Sequence, residues 1–161
     1  MITTYLEINS PKEFIEKRNT KGLAILEAEL KEFRFNRYLY SLVGETWSWT
    51  DKLKLSEDEW KNYAESNNLR TWVAYYRGSI AGYFELKTDS EFNVEIVYFG
   101  LTPMCIGKGF GGFLLSSAIK FAWEECKAKR VWVHTCTLDH PNAINNYKSC
   151  GMKIYHVETD E

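Results

Sequence analysis

The sequence carries no basic start followed by an apolar stretch and a small-residue cleavage site. That absence removes the pattern of a secretory leader and sets the expectation of a cytoplasmic protein. Its longest apolar runs, such as Ile96 to Leu101, fall far short of the roughly 20 residues that cross a bilayer, so no membrane partner is expected. Cysteine is sparse: Cys105, Cys126, Cys136 and Cys150 form no CxxC pair, which excludes a zinc ribbon, and no metal site is expected. Free thiols acting as small buried hydrophobes are the expectation, with Cys136 and Cys150 kept as alternative nucleophiles. Charge of one sign is missing too. Twenty Lys and Arg stand against 22 Asp and Glu, a net −2, so the electrostatic footprint of a nucleic-acid binder is absent. With three prolines in 161 residues and no low-complexity stretch, repeat or linker, the chain reads as a single domain over residues 1–161.

Aromatic residues are abundant instead, at 16%, and call for an aromatic core or an aromatic-lined pocket. Thr3 to Ile8 alternates as a strand does, and Ser10-Pro11 opens a short helix or turn. Leu23 to Leu30 is open between strand and helix, with strand preferred. Phe33 to Val43 has a helical, aromatic pattern that Gly44 stops. Ser56-x-x-Glu59 is a capping box and predicts a helix from Glu57 to about Ser66. Thr71 to Arg77 and Ile80 to Lys87 flank Gly78-Ser79 as a hairpin. Val94 to Leu101 is nearly continuous in apolar residues, as a central strand buried on both faces would be. A 3.6-period stripe predicts a helix over Gly109 to Lys127. Val131 to Cys136, Pro141 to Ser149 and Met152 to Val157 complete the chain as strand, helix and strand. Strands followed by strand–helix–strand alternation imply a mixed α/β sheet with at least one crossover.

The junction after Val94–Leu101 is the most informative stretch. It packs Gly107, Gly109, Gly111 and Gly112 into six residues before the amphipathic helix. Glycines there let backbone N–H groups approach an anion, and the helix start adds unpaired donors and partial positive charge. The same glycines would also serve tight strand–helix packing. A P-loop is excluded because Lys108 is not followed by Ser or Thr in GxxxxGK order. Gly107, Gly109 and Gly112 do spell GxGxxG, but no acidic residue follows at dinucleotide spacing, since Lys127 to Lys129 stand there.

This stretch resembles the acetyl-CoA signature of the GNAT superfamily of N-acetyltransferases, whose core reads Gln/Arg-x-x-Gly-x-Gly/Ala. That core falls on Ile106 to Gly111, with Ile106 in place of the Gln or Arg, a change that removes a side chain and keeps the backbone donors. The second signature, Asn, Ala, then Tyr-x-x-x-Gly-Phe, is similar to His140 to Met152, with His140 for the usual Asn and Met152 for the usual Phe. Together they extend the resemblance over about residues 70 to 157. It implies a GNAT-like α/β fold, a mixed central sheet of about six to seven strands flanked by about four helices, with two strands splayed beside the Gly-rich loop. Residues 70–157 would then be the acetyl-CoA-binding core and 1–69 the acceptor side.

The resemblance also implies roles. Leu101 and Thr102 become the backbone partners of the pantetheine arm, and an N–H near Leu101 the oxyanion donor. Ile106, Gly107, Lys108, Gly109, Phe110, Gly111 and Gly112 become the pyrophosphate cradle, with His140 beside it, where it would cap the last helix. Tyr147 matches the family's general acid, because a phenol holds its proton at neutral pH and can hand it to a thiolate. Glu95 is the favoured base. It lies 14 residues before Gly109, and burial in an apolar strand would raise its pKa. Glu85 stands in reserve. His134, Cys136 and Asp139 leave a Cys–His–Asp nucleophile open as a minor alternative. Acceptor choice is expected from Tyr38, Tyr40, Trp47, Trp49 and Asp51, an aromatic and acidic group suited to a cationic amine. The implied function is transfer of acetyl from acetyl-CoA to a primary amine of a small molecule or peptide, by a chain that pairs into homodimers in some relatives. A non-catalytic acyl-CoA sensor and a nucleotide-binding domain are the competing readings.

Overall fold

A computed structural model describes residues 1–160. In chain order the elements are β1 (Ile2–Ile8), β2 (Leu23–Glu27), α1 (Phe33–Gly44), α2 (Glu57–Ala64), β3 (Leu69–Tyr76), β4 (Ser79–Thr88), β5 (Asn93–Leu101), α3 (Gly111–Glu124), β6 (Arg130–Cys136), α4 (Ala143–Ser149) and β7 (Lys153–Thr159). The strands form one seven-stranded sheet in the order β2-β3-β4-β5-β6-β1-β7. Only β5 and β6 run parallel, the consequence of the α3 crossover between them.

Local chemistry accounts for most boundaries. Ser56 Oγ accepts the Glu59 N–H while the Glu59 carboxylate accepts the Ser56 N–H, each at 3.2 Å, so the capping box opens α2 as expected. The β3–β4 hairpin turns on Arg77 and Gly78, both at positive φ, a type I′ geometry that matches strand twist. Gly44 ends α1, and a Cβ there would lie 2.6 Å from the Trp49 ring. The glycine therefore serves the close approach of the following loop. Two helix starts differ from expectation: α3 begins at Gly111 and α4 at Ala143, each two residues late, because the preceding residues continue the loops.

Alternation along the strands divides the core. Trp72, Phe84 and Phe121 of α3 pack as a mutual triad of rings, while the adjacent Val73 joins Leu39, Val43 and Tyr83 beneath α1. Helices α3 and α4 thus cover one face of the sheet, and α1 and α2 the other. Each fully buried aliphatic side chain contributes roughly 1.5–3 kcal/mol. On β5, Val94 and Ile96 are buried against α3, yet the rest of the strand is only half-buried. The expectation of a strand covered on both faces is therefore corrected: from Val97 to Leu101 its open side borders a cavity. Pairing with β4 shifts register between Glu85/Tyr98 and Leu86/Ile96, which leaves Val97 as an extra residue. This is a β-bulge, and it bends β5.

Candidate active site

The bulge and the crossover together open the sheet. β5 and β6 pair only over Asn93–Glu95 and Arg130–Trp132. Beyond that point the two strands part, and a cavity of about 700 Å³ lies between them. Ile96 to Leu101 form one wall, Val133, His134 and Cys136 the other. At one end sits the glycine-rich loop, with Gly107 and Gly109 at φ of 83° and 81°. Such positive values suit glycine and turn successive N–H groups toward one side, the makings of an anion nest. Phe110 packs into the core against Tyr76, with centroids 4.9 Å apart, and fixes the start of α3.

Tyr147 reaches the same cavity from α4, its ring buried and 6.4 Å from that of Phe99. Burial, with Asp139 nearby, pushes its pKa up, so the phenol keeps its proton at neutral pH. Trp47, Trp49, Asp51 and Tyr98 line it as well.

Residues 26–152 match the Acetyltransferase (GNAT) family. The chain belongs to that family. The fold agrees. A GCN5-related N-acetyltransferase from Kribbella flavida superposes with a TM-score of 0.69 at 14% identity, over 96% of this chain and 55% of that one. This chain thus spans little more than half of that relative's length. An aminoglycoside acetyltransferase from an uncultured soil metagenomic sample gives 0.66 at 16% identity, over 83% and 90% of the two chains. A spermidine N-acetyltransferase from Vibrio cholerae, in complex with CoA and spermine, gives 0.64 at 22% identity, over 81% and 80%. No curated protein sequence matches the chain. As a GNAT protein the chain has the mixed, open sheet of the family.

The residues anticipated from sequence sort into three groups. Leu101, Ile106, Gly107, Gly109, Phe110, Gly111, Gly112, His140 and Tyr147 all line the cavity. Lys108 is exposed on the loop, and Thr102 is buried with its N–H given to Ala81 O at 2.8 Å and its hydroxyl to Ile80 O. Glu95 lies behind the wall: its carboxylate faces the His134 imidazole, Oε2 to Nε2 being 3.8 Å, and burial raises its pKa against the pull of His134, Lys87 and Lys52. Glu85 is wholly buried under α1 and α2, where Tyr63 Oη and Asn36 Nδ2 donate to it.

Other expectations are redrawn. His140 does not cap α4, whose cap is Asn142; its Nδ1 accepts the Asn142 N–H at 3.0 Å, and its ring meets Trp47 edge-on. Asp139 accepts from the Thr135 hydroxyl and the Cys136 N–H, at 2.5 and 3.0 Å. It therefore ties the turn after β6, and the carboxylate facing His134 is Glu95 instead. Among the acceptor-side aromatics, Tyr40 is core, packed on Trp49, Trp60 and Tyr98, while Tyr38 is exposed. Cys105, Cys126 and Cys150 are buried free thiols.

Sequence reasoning missed a strap. Residues 15–22 cross the N-terminus of α3, anchored by the Lys17 N–H on Ser116 Oγ at 2.8 Å and the Ile15 N–H on Cys150 O at 3.0 Å. They bring the Lys21 side chain to the point where a Gly109 Cβ would project and Lys17 close to Gly112. No local signal in the sequence links positions 17 and 21 to 109 and 112.

Proposed function

We propose that this protein transfers acetyl from acetyl-CoA to a primary amine of a small molecule or peptide. The observation that carries the reading is one cavity, opened where β5 leaves β6, whose lining brings together a glycine nest, a proton-bearing tyrosine and an aromatic, acidic group. The donor is a substrate and supplies the acyl group as a thioester. Gly107 to Gly112 hold its pyrophosphate through backbone N–H groups, reinforced by Lys17, Lys21 and Lys108. The unpaired edge of β5 up to Leu101 offers N–H and carbonyl groups to an extended pantetheine arm, and one such N–H meets the oxyanion. Tyr147 hands its proton to the departing thiolate, and the proton of the attacking amine leaves on the acceptor side, where Glu95 faces the His134 imidazole.

The amine faces Trp47, Trp49 and Tyr98 with Asp51 beside them. That combination attracts an ammonium through ring faces and charge. The likeness to spermidine and aminoglycoside acetyltransferases supports an acceptor of that cationic class. The buried, unpaired thiols fit a reducing cytoplasm. At the sheet edge all seven residues of β7 are exposed, which supports pairing with a second copy. Sedimentation velocity tests this: a dimer is expected, dispersed by Ile154→Glu with Val157→Glu.

The function is tested by thermal shift and thiol release. Acetyl-CoA and CoA raise the melting temperature and ATP does not; a melting curve indifferent to both CoA species overturns the reading. With acetyl-CoA bound, free thiol appears on addition of spermidine, an aminoglycoside or a lysine peptide. Binding without thiol release in this panel identifies a sensor. Tyr147→Phe lowers kcat by about 100-fold or more and leaves acetyl-CoA affinity unchanged.

A further inference from the structure

Two imidazoles line the cavity: His140, whose Nδ1 accepts the Asn142 N–H, and His134, on the strand that faces β5 across the opening. Its half-exposed ring projects from the sheet face opposite Val133, whose side chain is buried against α3. Glu95 projects on that same side from β5 and meets His134 Nε2 at 3.8 Å. Glu95 itself is absent from the cavity wall. A proton leaving a molecule in the cavity therefore meets the imidazole before the carboxylate. The side matters as well. Tyr147 comes from α4, which covers the α3 face, whereas His134 lies on the face that carries Tyr98, Trp49 and α1.

We propose that His134 is the group that takes the proton from the attacking amine, and that Glu95 acts through it as a positioning residue. The inference rests on the acetyl-transfer reading and completes its proton path. The amine lone pair forms the new C–N bond at the thioester carbonyl, and the C–S bond breaks with its electron pair leaving on sulfur. Tyr147 Oη gives its proton to that sulfur; His134 takes one proton from nitrogen. Amide and free thiol are the products. Afterwards the phenolate and the imidazolium return to their resting forms by exchange with water, one gaining a proton and the other losing it. An imidazole is the side chain suited to this traffic near neutral pH. A carboxylate 3.8 Å from Nε2 stabilises the imidazolium by its charge.

Other groups about His134 are few. The Tyr5 ring of β1 lies tilted at 5.6 Å, its hydroxyl given to Glu158, and Trp132 lies 6.2 Å away on the same strand as His134. Cys136 and Asp139 line the cavity further along the chain, and Asp51 lines it from the α1–α2 loop. His156 of β7 lies against Tyr5, 5.3 Å from its ring. Lys52 and Lys87 act on Glu95. Glu95 is the carboxylate in ion-pair range of His134 among the described residues.

The test uses the full chain, acetyl-CoA, and whichever of spermidine, an aminoglycoside or a lysine peptide releases thiol fastest. His134→Gln is expected to lower kcat/KM for the amine by about 100-fold, with acetyl-CoA affinity and melting temperature retained. Its residual rate should lose the limb of the wild-type profile that needs a neutral imidazole and keep the rise set by the amine's own ionisation, since the amine attacks in its neutral form. Glu95→Gln keeps the shape but loses the charge, so it moves that limb to lower pH; Glu95→Asp restores part of it. Imidazole NMR of the three histidines reads the same coupling without turnover: Glu95→Gln shifts the titration of His134 alone. Wild-type thiol release that persists undiminished in His134→Gln, or a His134 titration indifferent to Glu95→Gln, overturns the proposal and leaves acetyl transfer standing. Wild-type protein that releases no thiol with any of the three amines overturns both.

Discussion

Glu85 shows how one carboxyl can be removed from chemistry by its surroundings. Asn36 bridges Glu85 and Thr71, at 2.8 and 2.9 Å, and Tyr63 donates from α2, so the donors that fold α1 and α2 onto the sheet converge on a single side chain. Burial nevertheless holds its pKa above the ordinary carboxylate value, against the opposing pull of Tyr63, Asn36 and Lys52. The sign follows from linkage. A carboxyl whose folded pKa is raised favours the fold most at low pH, and that benefit is lost as pH rises through the folded value. Urea titrations of wild type and Glu85→Gln should therefore diverge as pH rises above the ordinary carboxylate range, wild type losing ground to the variant. Parallel pH profiles would show that folding leaves the proton affinity of Glu85 unchanged. Glu85→Ala instead strands Asn36 and Tyr63, which costs about 1–3 kcal/mol at low pH, and the deficit narrows as the wild-type carboxyl loses its benefit at higher pH.

Among the elements, α2 and β5 contrast. Helix α2 has eight residues, and its start is written locally in Ser56 and Glu59. Ser56→Ala removes an acceptor for the Glu59 N–H and is expected to destabilise the protein by about 1 kcal/mol, read as a lower urea midpoint with unchanged slope. Since α2 carries Tyr63 to Glu85, part of the loss is tertiary. In β5 the local signal misleads. An apolar run predicts burial on both faces, yet the extra residue at Val97 and the brief pairing with β6 leave half the strand open. An apolar side chain facing a cofactor-sized cavity and one facing a core helix look alike in a sequence.

For the molecule as a whole, the feature of note is a cluster of cations beside the glycine loop. Lys21 and Lys17 come to Gly109 and Gly112 from the strap, and Lys108 stands exposed on the loop itself. A net charge of −2 conceals this local excess. Attraction of an anion to such a cluster is screened over about 10 Å at 0.1 M salt. Replacing both Lys17 and Lys21 by Ala should weaken CoA binding by about tenfold at low salt and flatten its salt dependence, measured by calorimetry between 20 and 300 mM NaCl. An unaltered affinity would make the strap a purely structural tie.

The sequence alone determined the elements whose causes are local: the capping box of α2, the hairpin about Gly78, the stripe of α3 and the glycine run before it. Two separated motifs also sufficed for the family and for Tyr147, because a nest of N–H groups and a helix-borne phenol are short-range constructions. Only the tertiary structure decided which carboxylates and cations meet. Glu95 and Glu85 are both acids in β-strands, alike by local pattern, yet one faces an imidazole from a parallel neighbour 39 residues away and the other is locked under two helices. Lys17 and Lys21 reach Gly109 and Gly112 across some 90 residues of chain. Such contacts are fixed by strand order, register and the one-residue bulge at Val97. Those are properties of how the strands pair across the sheet, and no window of neighbouring residues encodes them.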